Sequence, residues 1–120
     1  MRNWKRRWIT LQNDKVLNLV GLAQKAGKVV SGEFMTEKAV KTGEAALVIL
    51  AEDASENTQK KFRNMCEFYK VPLRIHAAKD YLGHAMGKEF RASLAVVDNG
   101  FAQAIMKKMD LSHMFYKIIV

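Results

Sequence analysis

Two glycine-punctuated stretches carry the groups best suited to chemistry. In Gly32-Glu33-Phe34-Met35-Thr36-Glu37-Lys38 a glycine stands directly before a helical pattern. A helix N-terminus offers unpaired N–H groups and the positive end of a dipole, both suited to phosphate oxygens, and a residue without Cβ lets another backbone come close. Two readings stay open here: Gly32 admits an anion, or it only makes the turn. Phe34 and Met35 either stack on bases or pack inward, and helix-borne Phe and Met are more often core. In Leu82-Gly83-His84-Ala85-Met86-Gly87-Lys88, two glycines among small neighbours form an edge that could accept a splayed nucleic-acid base. The alternative is a plain helix between two turns, with His84 solvated or hydrogen-bonded.

Catalytic constellations find less support. Asp53 and Asp98 each follow an apolar run, where a receiver-type α/β domain would hold a phospho-accepting aspartate, but no early acidic pair is present to bind its magnesium. Asp53 reads better as a helix cap. The chain has no G-x-x-x-x-G-K-[ST], no H-E-x-x-H and no paired cysteines. Its single Cys66 lies beside Met65 and Tyr69 on an inferred buried face, where a thiol is usually inert. The expectation is a non-enzyme with no cofactor and no metal.

Composition bounds the rest. At 120 residues and 49% hydrophobic content, one domain can bury one core without staples. Twenty Lys+Arg against 12 Asp+Glu give +8, so a polyanion is the first partner to consider, with an anionic membrane surface as the competing one. No apolar run approaches the roughly 20 residues of a membrane span, and Met1-Arg2-Asn3-Trp4-Lys5-Arg6-Arg7-Trp8 lacks the apolar stretch of a signal peptide. With one cysteine, the cytoplasm is the expected location. In that same start, Arg2, Lys5, Arg6 and Arg7 interleave with Trp4 and Trp8, a pattern that could pair cations with phosphates and rings with bases. A disordered tail or a membrane-surface tether fits it equally.

The elements that must hold these groups follow from periodicity. Val16, Leu19, Val20 and Ala23 predict a helix over 13–26 that stops at Gly27. Val29-Val30 predicts a brief strand, and a helix through Lys38-Ala39-Val40 ends near Gly43. Ala45 to Ala51 is continuously apolar, as a central strand covered on both faces would be. Asp53 or Ser55 then caps a helix with Phe62, Met65, Cys66 and Tyr69 as its buried stripe, and Pro72 ends it. Leu73 to His76 alternates as a strand, Lys79 to Met86 reads as a short helix, Leu94 to Val97 as a buried strand, and a last helix starts near Phe101. This alternation predicts an α/β fold, a three-layer α/β/α sandwich around a small mixed four-stranded sheet, over 13–110. Residues 1–12 form a basic aromatic extension and 111–120 an apolar one. Phe115-Tyr116-Lys117-Ile118-Ile119-Val120 has the composition of an exposed strand that could pair with the sheet edge or a second copy.

From about Lys15 to Ile105 the order and spacing of several strings resemble the kink-turn-binding ribosomal protein superfamily of L-seven-Ae and L-thirty-e type. The likeness is nearest to its small bacterial YlxQ-type branch. The strings are Lys25-Ala26-Gly27-Lys28 followed by Gly32, Leu47 to Ala54, Leu82 to Lys88, and Ala95-Val96-Val97-Asp98. The resemblance implies the three-layer fold, RNA (ribosomal RNA among the candidates) as partner, no obligatory membrane and no cofactor. It implies that Gly32, Glu33, Phe34, Met35, Thr36 and Lys38 approach an RNA groove while Leu82, Gly83, His84, Ala85, Met86 and Gly87 pack on an extruded base. Lys25, Lys28, Lys38, Lys88 and Arg91 become phosphate-contact candidates on the same face. Where members of that superfamily present a polar pair to sheared G·A base pairs, this sequence places Phe34-Met35, so weaker kink-turn discrimination is expected.

Overall fold

The structure, a computed structural model, describes residues 14–119, with side chains through Leu111. Its elements run α1 (Lys15–Lys25), β1 (Val29–Ser31), α2 (Glu33–Lys41), β2 (Leu47–Leu50), α3 (Glu56–Tyr69), β3 (Leu73–Ile75), α4 (Lys79–Ala85), β4 (Ser93–Val96) and α5 (Asn99–Ile119). The sheet order is β1-β4-β2-β3; β4 is antiparallel to both neighbours, and β2 and β3 are parallel.

Every side chain of β2 is buried because its two faces serve two cores. Leu47 and Ile49 join Val16, Leu17, Val20, Leu82, Leu94, Val96 and Ile105 under α1, α4 and α5. Val48 and Leu50 point the other way, with Ala39, Val40, Phe62, Cys66 and Ala95 under α2 and α3. Alternate residues of a strand face opposite sides, so one unbroken apolar run supports two helical layers. The expected α/β/α sandwich with a mixed four-stranded sheet is what the chain forms.

Three local expectations differ from the structure. Of the two caps expected for α3 the structure uses Ser55, whose Oγ accepts from Thr58 N at 3.1 Å; the differences lie elsewhere. Within its stripe Phe62 and Cys66 are buried, but Tyr69 is exposed and meets Phe68 edge-on, ring centroids 4.9 Å apart. Helix α5 starts at Asn99, two residues early, because Asp98 Oδ2 accepts from Phe101 N at 2.9 Å. It then continues through Ile119, where strand composition was read from Phe115 onward. Extending a helix adds one bond per residue without a new nucleation cost, so an established helix carries β-branched residues that would not start one. The cationic and aromatic cluster from Arg2 to Trp8 lies outside the described residues. No described helix is long and apolar enough to cross a membrane.

One tie closes the fold beside the sheet. Asp14 caps α1 by accepting from Leu17 N at 2.9 Å, and its carboxylate also accepts from His76 Nε2 at 2.9 and 3.1 Å. Burial pushes the Asp14 carboxyl up, but the hydrogen bonds from His76 and Leu17 outweigh it and leave the group below its ordinary value. The start of α1 is thereby fastened to the end of β3.

Candidate nucleic-acid interface

Strand direction decides which loops meet. Because β4 runs against its neighbours, the carboxyl ends of β1, β2 and β3 share one end of the sheet with the amino end of β4. Backbone bonds knit that end together: Gly32 N to Ser93 O at 3.0 Å, Ala51 N to Ala92 O at 2.8 Å, Glu52 N to Ala77 O at 2.8 Å and Arg91 N to Lys79 O at 2.9 Å. Both glycine-punctuated stretches, some 50 residues apart in sequence, thus lie at this one end of the sheet.

Four described helices, α1 to α4, begin here, and their N-termini are finished differently. Asp14 caps α1 and Ser55 caps α3. Helix α4 follows Ala78, which has no capping side chain, but Asp53 reaches across from the β2–α3 loop and accepts from Lys79 N at 2.9 Å. Asp53 is a cap after all, for a helix other than the one expected. Helix α2 has Gly32 at its N-cap and no side chain on its first N–H groups. Gly32 sits at φ 91°, where an L side chain is strained, and the space its Cβ would take is open. The exposed first turn therefore keeps donors and a positive dipole end free for an outside acceptor.

The side chains around that turn are not core. Phe34 is 74% exposed and Met35 41%, which overturns the inward reading of both. Thr36 is fully buried beneath them, and Lys38 is exposed one turn on. Glu33 would repel a phosphate at this position, but Lys61 of α3 holds it at 3.2 Å and Glu37 at 3.1 Å. The Lys61 hydrogen bond holds the Glu37 carboxyl below its ordinary value, and both glutamates hold the lysine above its own. These exposed pairs add little stability, and their effect here is to offset the acidic charge beside the helix end.

The second stretch divides into a buried and an exposed part. Leu82, Gly83 and Met86 are buried, Ala85 half-buried, and His84, Gly87 and Lys88 exposed. A Cβ on Gly83 would stand 2.5 Å from Glu89 O and 2.7 Å from Phe90 N, so the chain following Gly87 already fills the space above it. That contact fixes the α4–β4 loop against α4, helped by Lys88 N to Gly83 O at 2.7 Å. Arg91, half-buried, donates from Nε to Ser31 Oγ at 2.9 Å and from its guanidinium to Phe90 O at 2.8 Å. The loop is thereby stapled to the residue preceding Gly32. Its Phe90, next to Arg91 in the chain, is 56% exposed and was not among the residues expected at the site. The signal was available: a lone Phe between Glu89 and Arg91 in a charged loop has no helical or strand period to place it inward. Lys25 and Lys28 lie apart from this surface. Lys28 precedes β1 and accepts from Val97 N, about 13 Å of extended strand from Gly32.

A family model described as the Ribosomal protein L7Ae/L30e/S12e/Gadd45 family matches residues 14–106, and the match spans every described element but the end of α5. This chain belongs to that family. It is 46% identical over 92 residues to the RNA-binding protein YlxQ of Bacillus subtilis (strain 168), covering 77% of this chain and 92% of that protein. The RNA-binding protein YlxQ of Enterococcus faecium is 39% identical over 89 residues, 74% of this chain and 85% of the relative. Among solved structures, a protein of unknown function from Bacillus halodurans C superposes with a TM-score of 0.78 at 38% identity, over 80% of this chain and 97% of that one. A Giardia lamblia 15.5kD RNA binding protein gives 0.68 at 25% identity, over 79% and 84%. The same three layers are therefore shared with a eukaryotic relative of low identity.

Proposed function

We propose that this chain is a non-catalytic RNA-binding protein that grips structured RNA through the surface formed by the first turn of α2 and the α4–β4 loop. The observation that carries this reading is the unequal finishing of the four helix N-termini: α2 alone among them has no side-chain cap, and it lies between exposed aromatic and cationic side chains. Phosphate oxygens satisfy such N–H groups, and Lys38, Lys88 and Arg91 supply charge around them. Family membership and two relatives named as RNA-binding proteins support the same reading.

Of the residues expected at the site, Gly32, Glu33, Phe34, Met35, Lys38, His84, Gly87, Lys88 and Arg91 are the ones we assign to contact. Thr36, Leu82, Gly83, Ala85 and Met86 position them from below. Lys25 and Lys28 serve as more distant phosphate contacts on a long RNA. Ribosomal RNA is the first RNA to test, given the family, and the cytoplasm is the compartment this reading requires. The basic extension over 1–12 adds affinity without sequence preference, and residues 111–120 are the segment through which copies would associate.

The test is binding of the full chain to structured RNA across salt. With each neutralised phosphate releasing roughly 0.7–0.9 counterions, affinity should fall steeply between 50 and 300 mM salt. Replacing Lys38 and Lys88 together with Ala should lower the slope by about one to two. A flat salt response, or no RNA retained at low salt, defeats the proposal.

A further inference from the structure

We propose that residues 1–13 of this chain fold back along the last turns of α5, so that Trp4, Trp8 and Leu11 cover the apolar side of residues 111–119. The inference concerns the two ends of the chain and goes beyond the RNA-binding reading, on which it does not depend. Direction comes first. Val97 N donates to Lys28 O at 2.9 Å, which places the start of α5 beside the end of α1. The two helices pack together, with Val16, Val20 and Ala23 of α1 in one core with Ala102 and Ile105 of α5. Helix α5 therefore runs back along α1 toward Asp14. At 1.5 Å of rise per residue, the 11 residues of α1 span about 16 Å and the 21 of α5 about 31 Å. Roughly 15 Å of α5 thus passes the point at which residues 1–13 join the fold.

The core-facing line of α5 gives out where this overhang begins. Ala102, Ile105 and Met109 pack inward, and helical spacing carries that line on to Ser112 and Tyr116. Leu111 lies off it and is 51% exposed. Met114, Phe115 and Ile118 follow Leu111 at spacings of three, four and seven, so the apolar side of the overhang is not the side that the body of the protein covers.

The segment before Asp14 has a matching pattern. In a helix, Met1, Trp4, Trp8 and Leu11 would share one side, with Arg2 and Arg6 opposite. Thirteen helical residues reach about 20 Å, enough to cover the overhang from Asp14, which His76 holds in place. A second copy is the other candidate occupant, and length decides against it. Some two turns of helix bury far less than the roughly 1,000 Å² that a specific interface between molecules needs. A tethered segment loses no translational freedom and stands at roughly millimolar effective concentration, so the same short contact suffices. Association of copies through residues 111–120 then requires this cover to leave, and the cationic side of the cover stays open to RNA.

Trp4 and Trp8 are the only tryptophans of the chain, so its tryptophan emission reports residues 1–13 alone. Measured on the full chain without RNA, that emission should lie to the blue of a peptide of residues 1–13 and resist acrylamide quenching. Neither property should change on dilution, and sedimentation should show a monomer. The double change Leu111→Gln and Ile118→Gln should abolish the blue shift and the protection, and Leu11→Gln, made on the other side of the contact, should do the same. His113→Gln, placed across α5 from Leu111, should change neither. Emission equal to the peptide's in the unmodified chain overturns the inference, and that measurement needs no variant to fold. A blue shift that appears only together with a dimer gives the site to a second copy, and one that appears only with anionic vesicles gives it to a lipid surface; either result overturns the inference. So does a blue shift that the double change leaves intact. Failure to bind RNA removes the RNA-binding reading and leaves these measurements as they are.

Discussion

Helices α2 and α4 start at the same end of the sheet, each beside one of the two glycine-punctuated stretches, and neither N-cap residue offers a capping side chain. They end up in opposite conditions. The first turn of α4 takes Asp53 from 26 residues upstream as its cap, and its body delivers Leu82, Gly83 and Met86 to the core. The first turn of α2 takes nothing, and delivers Phe34 and Met35 to solvent. A helix end that is closed by the protein contributes to stability, and one left open contributes to binding at some cost in stability. The glycines follow the same division. Gly83 is required by what lies against it, and Gly32 by its own backbone angle with open space beyond.

The largest effect should come from forcing that difference. Gly83→Ala drives a Cβ into the Glu89–Phe90 backbone, which is not the flexible tip of a side chain and cannot give way cheaply. The expected loss is about 2–3 kcal/mol of unfolding free energy by denaturant titration, with displacement of the α4–β4 loop and weaker RNA binding. Gly32→Ala meets no atom and should cost about 1–2 kcal/mol from its φ of 91° alone. If Gly83→Ala proves the milder of the two, the loop is not held as described.

A smaller effect separates the two helix ends. Asp53→Ala should uncap α4 and cost about 1 kcal/mol, while leaving the salt dependence of RNA binding within error. A lower salt slope in that variant would mean that the caps and the binding surface are not separable. Smallest is the pH effect of Asp14. Its folded-state carboxyl lies below its ordinary value, so its contribution is fully present above that ordinary value and disappears as pH falls through the folded one. The wild-type melting temperature should therefore drop in the acid range below about pH 4 more steeply than that of Asp14→Asn. Parallel acid limbs would dismiss the tie to His76 as a source of stability.

What the sequence determined by itself was the order of the elements up to the start of α5 and the charge that makes a polyanion the first partner to consider. The alternation of apolar runs with helical stripes placed β2, α3 and β4 within a residue or two, because a strand buried on both faces and a helix buried on one leave different periods in the chain. The excess of eight positive charges needs no fold to be counted. The strings around Gly32 and Leu82 marked both halves of the proposed surface. Only the tertiary structure decided what each residue there does. Whether Phe34 faces the core depends on how α2 lies on the sheet, which a nine-residue helix with a mixed pattern does not state. That Asp53 caps α4, that Glu89 closes over Gly83 and that Arg91 reaches Ser31 all follow from which strand ends share one end of the sheet. That arrangement is set by strand order and direction across the whole sheet, and contacts between residues 26 or 60 apart leave no period in the local sequence to reveal it.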